Sequence, residues 1–436
     1  MSARDATFLE TADRLGARLC RDALWSGQRC NWLGWALDVV GRSYSRVYRA
    51  QTGALYDGTA GIALYLGRLH AITGESTQRA TALGALNQAL ASVSRMPKPT
   101  RSSLYSGATG VAYAAIELGT LFEDERLIAR GCDELERATA DVDDDAWLDV
   151  LGGSAGAIQT LLTMAACHAL PASVEIADVH GRRLLQKARR SDRGWSWDTL
   201  PGQSSDHLLG YGHGAAGIAC ALLELSVATT NEEYRHAALE AFRYERSFFS
   251  PEHHNWPDLR APATPPQQAV YAVAWCHGGP GIGLSRLRAV QLIADEGVER
   301  DLEEALQLTV GVCGATGSPA GADLSLCHGV GGNADLLIEA ATIRNRPDLL
   351  ECAERAGRQA IETYVPDDLP WPCGVTSGGE TPNLMLGLAG IGHFFLRLHD
   401  PHRVPSINLV KPAYDVARAG ALVSASEGAG ESAVWS

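Results

Sequence analysis

The chain has 436 residues, 46% of them hydrophobic and 20% charged, with a formal net charge of −14 at pH 7. That is globular composition with ample apolar material for a large core, and the acidic balance gives no electrostatic support for a nucleic-acid partner. No run suits a signal peptide or a membrane span, so a cytoplasmic chain is expected, in which ten scattered cysteines read as free thiols or metal ligands rather than disulfides.

Residues 1–50 read as a helical lead-in, with Phe8, Leu9, Ala12, Leu15 and Leu19 near one face. From residue 51 to 411 the chain is organised by a repeat. A Gly-x-x-Gly step occurs seven times, at Gly58/Gly61, Gly107/Gly110, Gly153/Gly156, Gly214/Gly217, Gly278/Gly281, Gly329/Gly332 and Gly387/Gly390. The second glycines are 46 to 64 residues apart, the length of a repeat unit of two helices and their loops. Each step heads an apolar segment such as Ile62–Leu66 or Val111–Ile116, and more polar stretches with helical spacing, such as Gln78–Val93 and Asp301–Val310, lie between. Alanine and leucine dominate and period-two alternation is rare, which favours helix over strand.

The expected architecture is therefore all-α: seven helical hairpins, the apolar helix of each packed inside and the polar one covering it. A ring of such hairpins brings the glycine-bearing loops to one end, where residues just before each pair converge. Most of these glycines need do no more than permit close packing, so function must come from what decorates particular loops. The acidic run Asp141–Asp145 reads as a solvated turn, and the Ala/Gly/Ser/Glu-rich segment 412–436 as a poorly ordered tail.

Three loops stand apart. Loops five and six carry Trp275-Cys276-His277-Gly278 and Leu326-Cys327-His328-Gly329. A lone buried cysteine is ordinarily a small core residue, but a Cys-His pair repeated in register with the glycine steps is not explained that way. Two thiolates and one imidazole suit tetrahedral zinc with a fourth position open, and their softness disfavours magnesium or calcium. The expected ligands are Cys276, Cys327 and His328. His277 is kept outside this set, among the catalytic candidates, because one position must stay open. Loop four places His213 directly before Gly214, where a residue that titrates near neutrality suits acid–base work. Loop three offers Asp149, which reads equally as a loop-capping acid and as a catalytic partner.

With Trp-Cys-His-Gly, Leu-Cys-His-Gly and Gly-Tyr-Gly-His-Gly in helical repeats, the chain resembles the LanC-type lanthionine cyclases from about Tyr56 to Arg403. The stretches Tyr244–Phe249, Asn255–Arg260 and Leu384–Gly392 look most like the cyclase half of the class II (LanM) lanthipeptide synthetases. The resemblance implies an α/α toroid with zinc at its mouth, held by Cys276, Cys327 and His328. His213 and Asp149 fall at positions for proton transfer or substrate handling. It also implies a dehydrated precursor peptide as substrate and, since only about 50 residues precede the first repeat, a separate dehydratase as partner. The alternatives are addition of glutathione to dehydroamino acids on the same scaffold, and a non-catalytic scaffold that holds a peptide for a partner enzyme. A purely structural zinc would need a fourth protein ligand, for which Cys373 and His277 are available.

Overall fold

In a computed structural model, residues 6–40, 43–142, 147–201, 206–260, 269–314 and 323–412 are described; the expected tail beyond 412 and most of the acidic run at 141–145 lie outside them. The described residues form fourteen α-helices, numbered here in chain order. Seven follow the glycine steps directly: α2 (Thr59–Thr73), α4 (Ala108–Leu121), α6 (Ser154–Ala165), α8 (Ala215–Thr229), α10 (Gly279–Leu292), α12 (Val330–Arg344) and α14 (Leu388–His399). Each packs on the next, and α14 packs on α2, so the inner layer closes into a ring.

These helices are buried nearly all round, which is why they are apolar on every face. The outer helices α3 (Ser76–Leu90), α5 (Glu125–Ala140), α7 (Ser173–Lys187), α9 (Glu232–Arg246), α11 (Glu296–Cys313) and α13 (Pro347–Tyr364) each cover the inner helix before them. They are amphipathic: α5 buries Gly131, Leu135, Ala138 and Thr139 and leaves its charges to solvent. Side-chain caps start several of them, with Asp124 accepting from the Arg126 and Leu127 N–H groups and Asp295 from that of Val298.

The inner helices instead begin on the first glycine of each step, without a side-chain cap. The second glycine has a steric reason. A Cβ at Gly110 would stand 1.9 Å from the Leu104 carbonyl oxygen, and one at Gly390 would stand 1.9 Å from that of Leu384. The same clash, with the residue six places earlier, recurs at all seven steps. The loop therefore folds back over the helix start, and this brings the residues before each step to the mouth of the ring.

Two features depart from the sequence expectation. The lead-in is helical only over α1 (Ala6–Arg21); beyond it the chain forms two antiparallel hairpins, Leu24–Ser26 with Arg29–Asn31 and Leu33–Val40 with Ser43–Ala50. A third small hairpin pairs Arg189–Ser191 with Gly194–Ser196. Nor is α1 a separate lead-in. It packs chiefly on α14, burying Phe8, Ala12, Leu15 and Leu19, with Phe8 stacked on Phe395 at 6.3 Å between centroids. The outer helix of the seventh hairpin thus comes from the other end of the chain, and α1 closes the outer layer. After α14, residues 404–412 run back into the middle of the ring, with Val404, Ile407, Asn408, Leu409 and Val410 buried.

Candidate metal centre and acid–base pair

The residues two places before the first glycines are Tyr56, Tyr105, Leu151, Gly212, Cys276, Cys327 and Met385. Their backbones form an annulus. Met385 donates to the Tyr56 carbonyl (3.0 Å), Tyr56 to Tyr105 (2.8 Å), Leu151 to Gly212 (3.1 Å), Cys276 to Cys327 (3.3 Å) and Cys327 to Met385 (3.0 Å). Five of the seven loops hold a neighbour in this way, all in the same sense. The residues one place later, among them His213, His277 and His328, stand around this collar.

Cys276 and Cys327 occupy the annulus itself, on adjacent loops. With His328 they form a cluster whose candidate ligand atoms all lie within 4.8 Å of one another, and it is the only such cluster of three or more among the described residues. The Nε2–H of His328 donates to the Gly374 carbonyl at 2.9 Å. That bond leaves Nδ1 for the cluster and fixes the ring, the usual arrangement behind a metal-binding imidazole. Neither Cys373 nor His277 belongs to the cluster.

Its electrostatics fit a cation. The hydrogen bond from the Cys327 thiol, working against burial and helped by His328 and His277, holds the Cys276 thiol well below its ordinary value. Cys327 is pushed up in turn, first by that bond to Cys276 and then by burial. Burial opposes a charged His328, yet the Cys276 sulfur, Asp323 and the Gly374 carbonyl bring it up to about 9. Two buried thiols and an imidazole are thus sharing protons that a divalent soft metal would displace.

Beside the cluster, His213 Nδ1 donates to Asp149 Oδ2 at 2.7 Å. Asp149 is completely buried, and its other oxygen accepts from the Gly152 N–H at 2.6 Å. The carboxylate therefore both caps its own loop and holds the histidine of the next. The Thr199 hydroxyl donates to the His213 carbonyl and pins that loop from outside. Burial pulls the His213 pKa down, but the Asp149 charge and hydrogen bond outweigh it and the net shift is upward.

His277 stacks near His213, with centroids 5.9 Å apart. It is buried, which lowers its pKa to about 4. Its Nδ1 is 4.0 Å from Asp258 Oδ1, and its buried Nε2 has no hydrogen-bond partner among the described residues. The three residues expected at the metal and the three catalytic candidates are thus neighbours at one mouth.

Further groups join them that sequence reasoning did not assign. The Tyr56 phenol lies within electrostatic reach of the Cys327 thiol; the signal was its register, since Tyr56 occupies in loop one the position of the two cysteines. Arg260, paired with Asp258 at 2.6 Å, is within electrostatic reach of both cysteines. The stretch Asn255–Arg260 is held over loop five by the Asn255 side chain, whose Nδ2 donates to the Ala272 carbonyl (2.9 Å) and whose Oδ1 accepts from the Gly279 N–H (2.9 Å). A groove of about 440 Å³ lined by Asp323, His328, Trp371, Cys373, Gly374 and Glu380 opens on the His328 side.

A family model described as "Lanthionine synthetase C-like protein" matches residues 50–409. Among solved structures, the chain is similar to nisin cyclase at 16% identity, with 81% of this chain and 90% of that one covered and a TM-score of 0.58. A family 76 glycoside hydrolase from a bovine Bacteroides thetaiotaomicron strain matches at 10% identity over 90% of this chain and 77% of that one, with a TM-score of 0.48. The unsaturated glucuronyl hydrolase of Bacillus sp. GL1 matches at 13% identity over 71% and 85%, with a TM-score of 0.45.

Proposed function

The chain belongs to the lanthionine synthetase C-like family, and from that premise we propose that it is a zinc-dependent lanthipeptide cyclase, adding peptide cysteine thiols to dehydroalanine or dehydrobutyrine to form thioether rings. The observation that carries the reading is the Cys276/Cys327/His328 cluster with three protein ligands beside the Asp149–His213 pair.

Cys276, Cys327 and His328 would hold the metal, with His328 oriented through Gly374. Zinc held there would supply Lewis acidity that makes a thiol ionise near neutral pH. In the reaction the peptide S–H gives up its proton, the sulfur bonds to the β-carbon of the alkene, and the α-carbon takes up a proton. His213 is suited to deliver that proton. With Nδ1–H held by Asp149, its Nε2 carries the transferable proton, and the raised pKa keeps the protonated form populated. His277, with its unpartnered Nε2, is suited to meet the substrate amide. The groove beside His328 gives an extended peptide a path to the cluster. The reaction consumes a dehydroamino acid, so a dehydrating enzyme must act first, and we propose a separate one as the partner.

The test incubates the chain and zinc with a dehydrated peptide carrying a free cysteine, with glutathione present. Ring closure leaves the peptide mass unchanged and removes its reactivity to thiol alkylation. Glutathione adducts without rings would instead identify a thiol-adding enzyme on this scaffold, and no change in the peptide at all would identify a scaffold.

A further inference from the structure

The metal-bearing loops are braced from beneath by the chain's own C-terminal segment. Residues 404–412 run into the ring, and their polar groups are taken up by the inner wall. Arg68 donates to the Pro405 carbonyl (3.1 Å), the Tyr105 hydroxyl to that of Ile407 (2.6 Å), and Arg288 to that of Pro412 (3.3 Å). Lys411 pairs with Glu339.

At the centre of this segment Asn408 is completely buried and joins two particular loops. Its carbonyl accepts from the Trp275 indole N–H at 2.9 Å, and its side-chain Nδ2 donates to the Leu326 carbonyl at 2.8 Å. Trp275 immediately precedes Cys276, and Leu326 immediately precedes Cys327. The residue itself is held, because its backbone N–H donates to the Ser406 hydroxyl at 3.1 Å. One asparagine therefore links the indole of Trp275 to the backbone of Leu326, the residues that precede the two thiol ligands. Within the annulus those loops share a single backbone bond, Cys276 to Cys327, at a long 3.3 Å.

We infer that Asn408 is a positioning residue for the metal centre: bridging Trp275 and Leu326, it sets the separation of the Cys276 and Cys327 sulfurs. The inference rests on the metal reading of the cluster but concerns a residue that touches neither metal nor substrate. A site held by only three protein ligands depends strongly on their preset spacing, because no fourth ligand restrains them.

The test compares Asn408→Ala with Lys411→Met in the full chain. The second loosens the same segment at Glu339, away from both cysteine loops. Zinc affinity is read by chelator competition, and cobalt(II) substitution reports ligand geometry through its visible absorption. Asn408→Ala is expected to bind zinc about tenfold more weakly with altered cobalt bands, while Lys411→Met stays within about twofold of the parent. Trp275→Phe, which keeps an aromatic side chain and removes the donor to Asn408, should shift the bands in the same direction and serves if Asn408→Ala does not fold. Parent-like affinity and bands in Asn408→Ala, or in Trp275→Phe where it stands in, would overturn the inference, as would an equal loss in Lys411→Met. A parent chain that binds no zinc would overturn the metal reading and this inference together, whereas a zinc-binding parent with an unaffected Asn408→Ala would overturn the inference alone.

Discussion

Replacing Asp149 by Asn keeps the shape of the pair and removes its charge. In the parent, a completely buried carboxylate meets His213 Nδ1 at 2.7 Å. A hydrogen bond to a charged group contributes about 1.5–3 kcal/mol, and at 1.4 kcal/mol per decade that is about a tenfold to hundredfold loss of rate. The pH profile carries a sharper signature. With His213 proposed as the acid, activity should fall as pH rises through its pKa, which Asp149 holds up against burial. Without that charge the alkaline limb must move to lower pH. Stability follows the same sign: with its folded pKa raised, His213 contributes fully below the unfolded value and loses that contribution as pH rises through the folded one. The stability gap between parent and Asp149→Asn should therefore narrow from mildly acidic to alkaline pH. The assays are ring-closure rate against pH and urea denaturation at both ends. An alkaline limb that stays in place, or a variant of full activity, would refute the pairing argument.

Four further outcomes are expected. Cys327→Ala should lose stoichiometric zinc by metal analysis, since no fourth protein ligand in the cluster compensates. His277→Asn should keep its zinc while ring closure slows by about a hundredfold or more, the range of a lost hydrogen-bond donor at a developing charge; loss of zinc would place His277 in the ligand set. Phe8→Ala should destabilise the chain by about 3–5 kcal/mol in urea, because a fully buried ring on α1 seals the seventh hairpin; a cost below about 1 kcal/mol would mean that α1 does not close the ring. Gly110→Ala should cost about 1–3 kcal/mol through its clash with the Leu104 carbonyl.

The ring was legible because its determinant is local. Every inner helix starts at a glycine step, and each step answers the same backbone clash, so the repeat could be read without knowing the contacts. The partner of α1 was not legible, since the amphipathic face of Phe8, Leu15 and Leu19 announces a helix but not which helix it covers. The hairpin at 33–50 was obscured for a different reason. Its buried face carries Gly34 and Ala36 while Leu33 and Leu37 point outward, so the hydrophobic alternation is inverted. Nothing in the composition of 404–412 marks a segment that enters the ring, because its burial is fixed by scattered polar bonds to Tyr105, Trp275 and Leu326. At the site, the two Cys-His-Gly triplets could be recognised by register. The choice between His328 and His277 at the cluster turns on the orientation of the rings, and the Asp149–His213 contact joins residues 64 apart in sequence. Both contacts of Asp149 coexist, one oxygen capping the loop and the other holding His213.

The central claim is a three-ligand zinc site that takes a substrate sulfur, and X-ray absorption at the zinc edge tests it most directly. The resting chain should show two sulfur ligands at about 2.3 Å with nitrogen or oxygen completing the shell, and a cysteine-containing dehydrated peptide should raise the sulfur count to three. A resting site already filled by four protein ligands, unchanged when the peptide is added, would contradict the account.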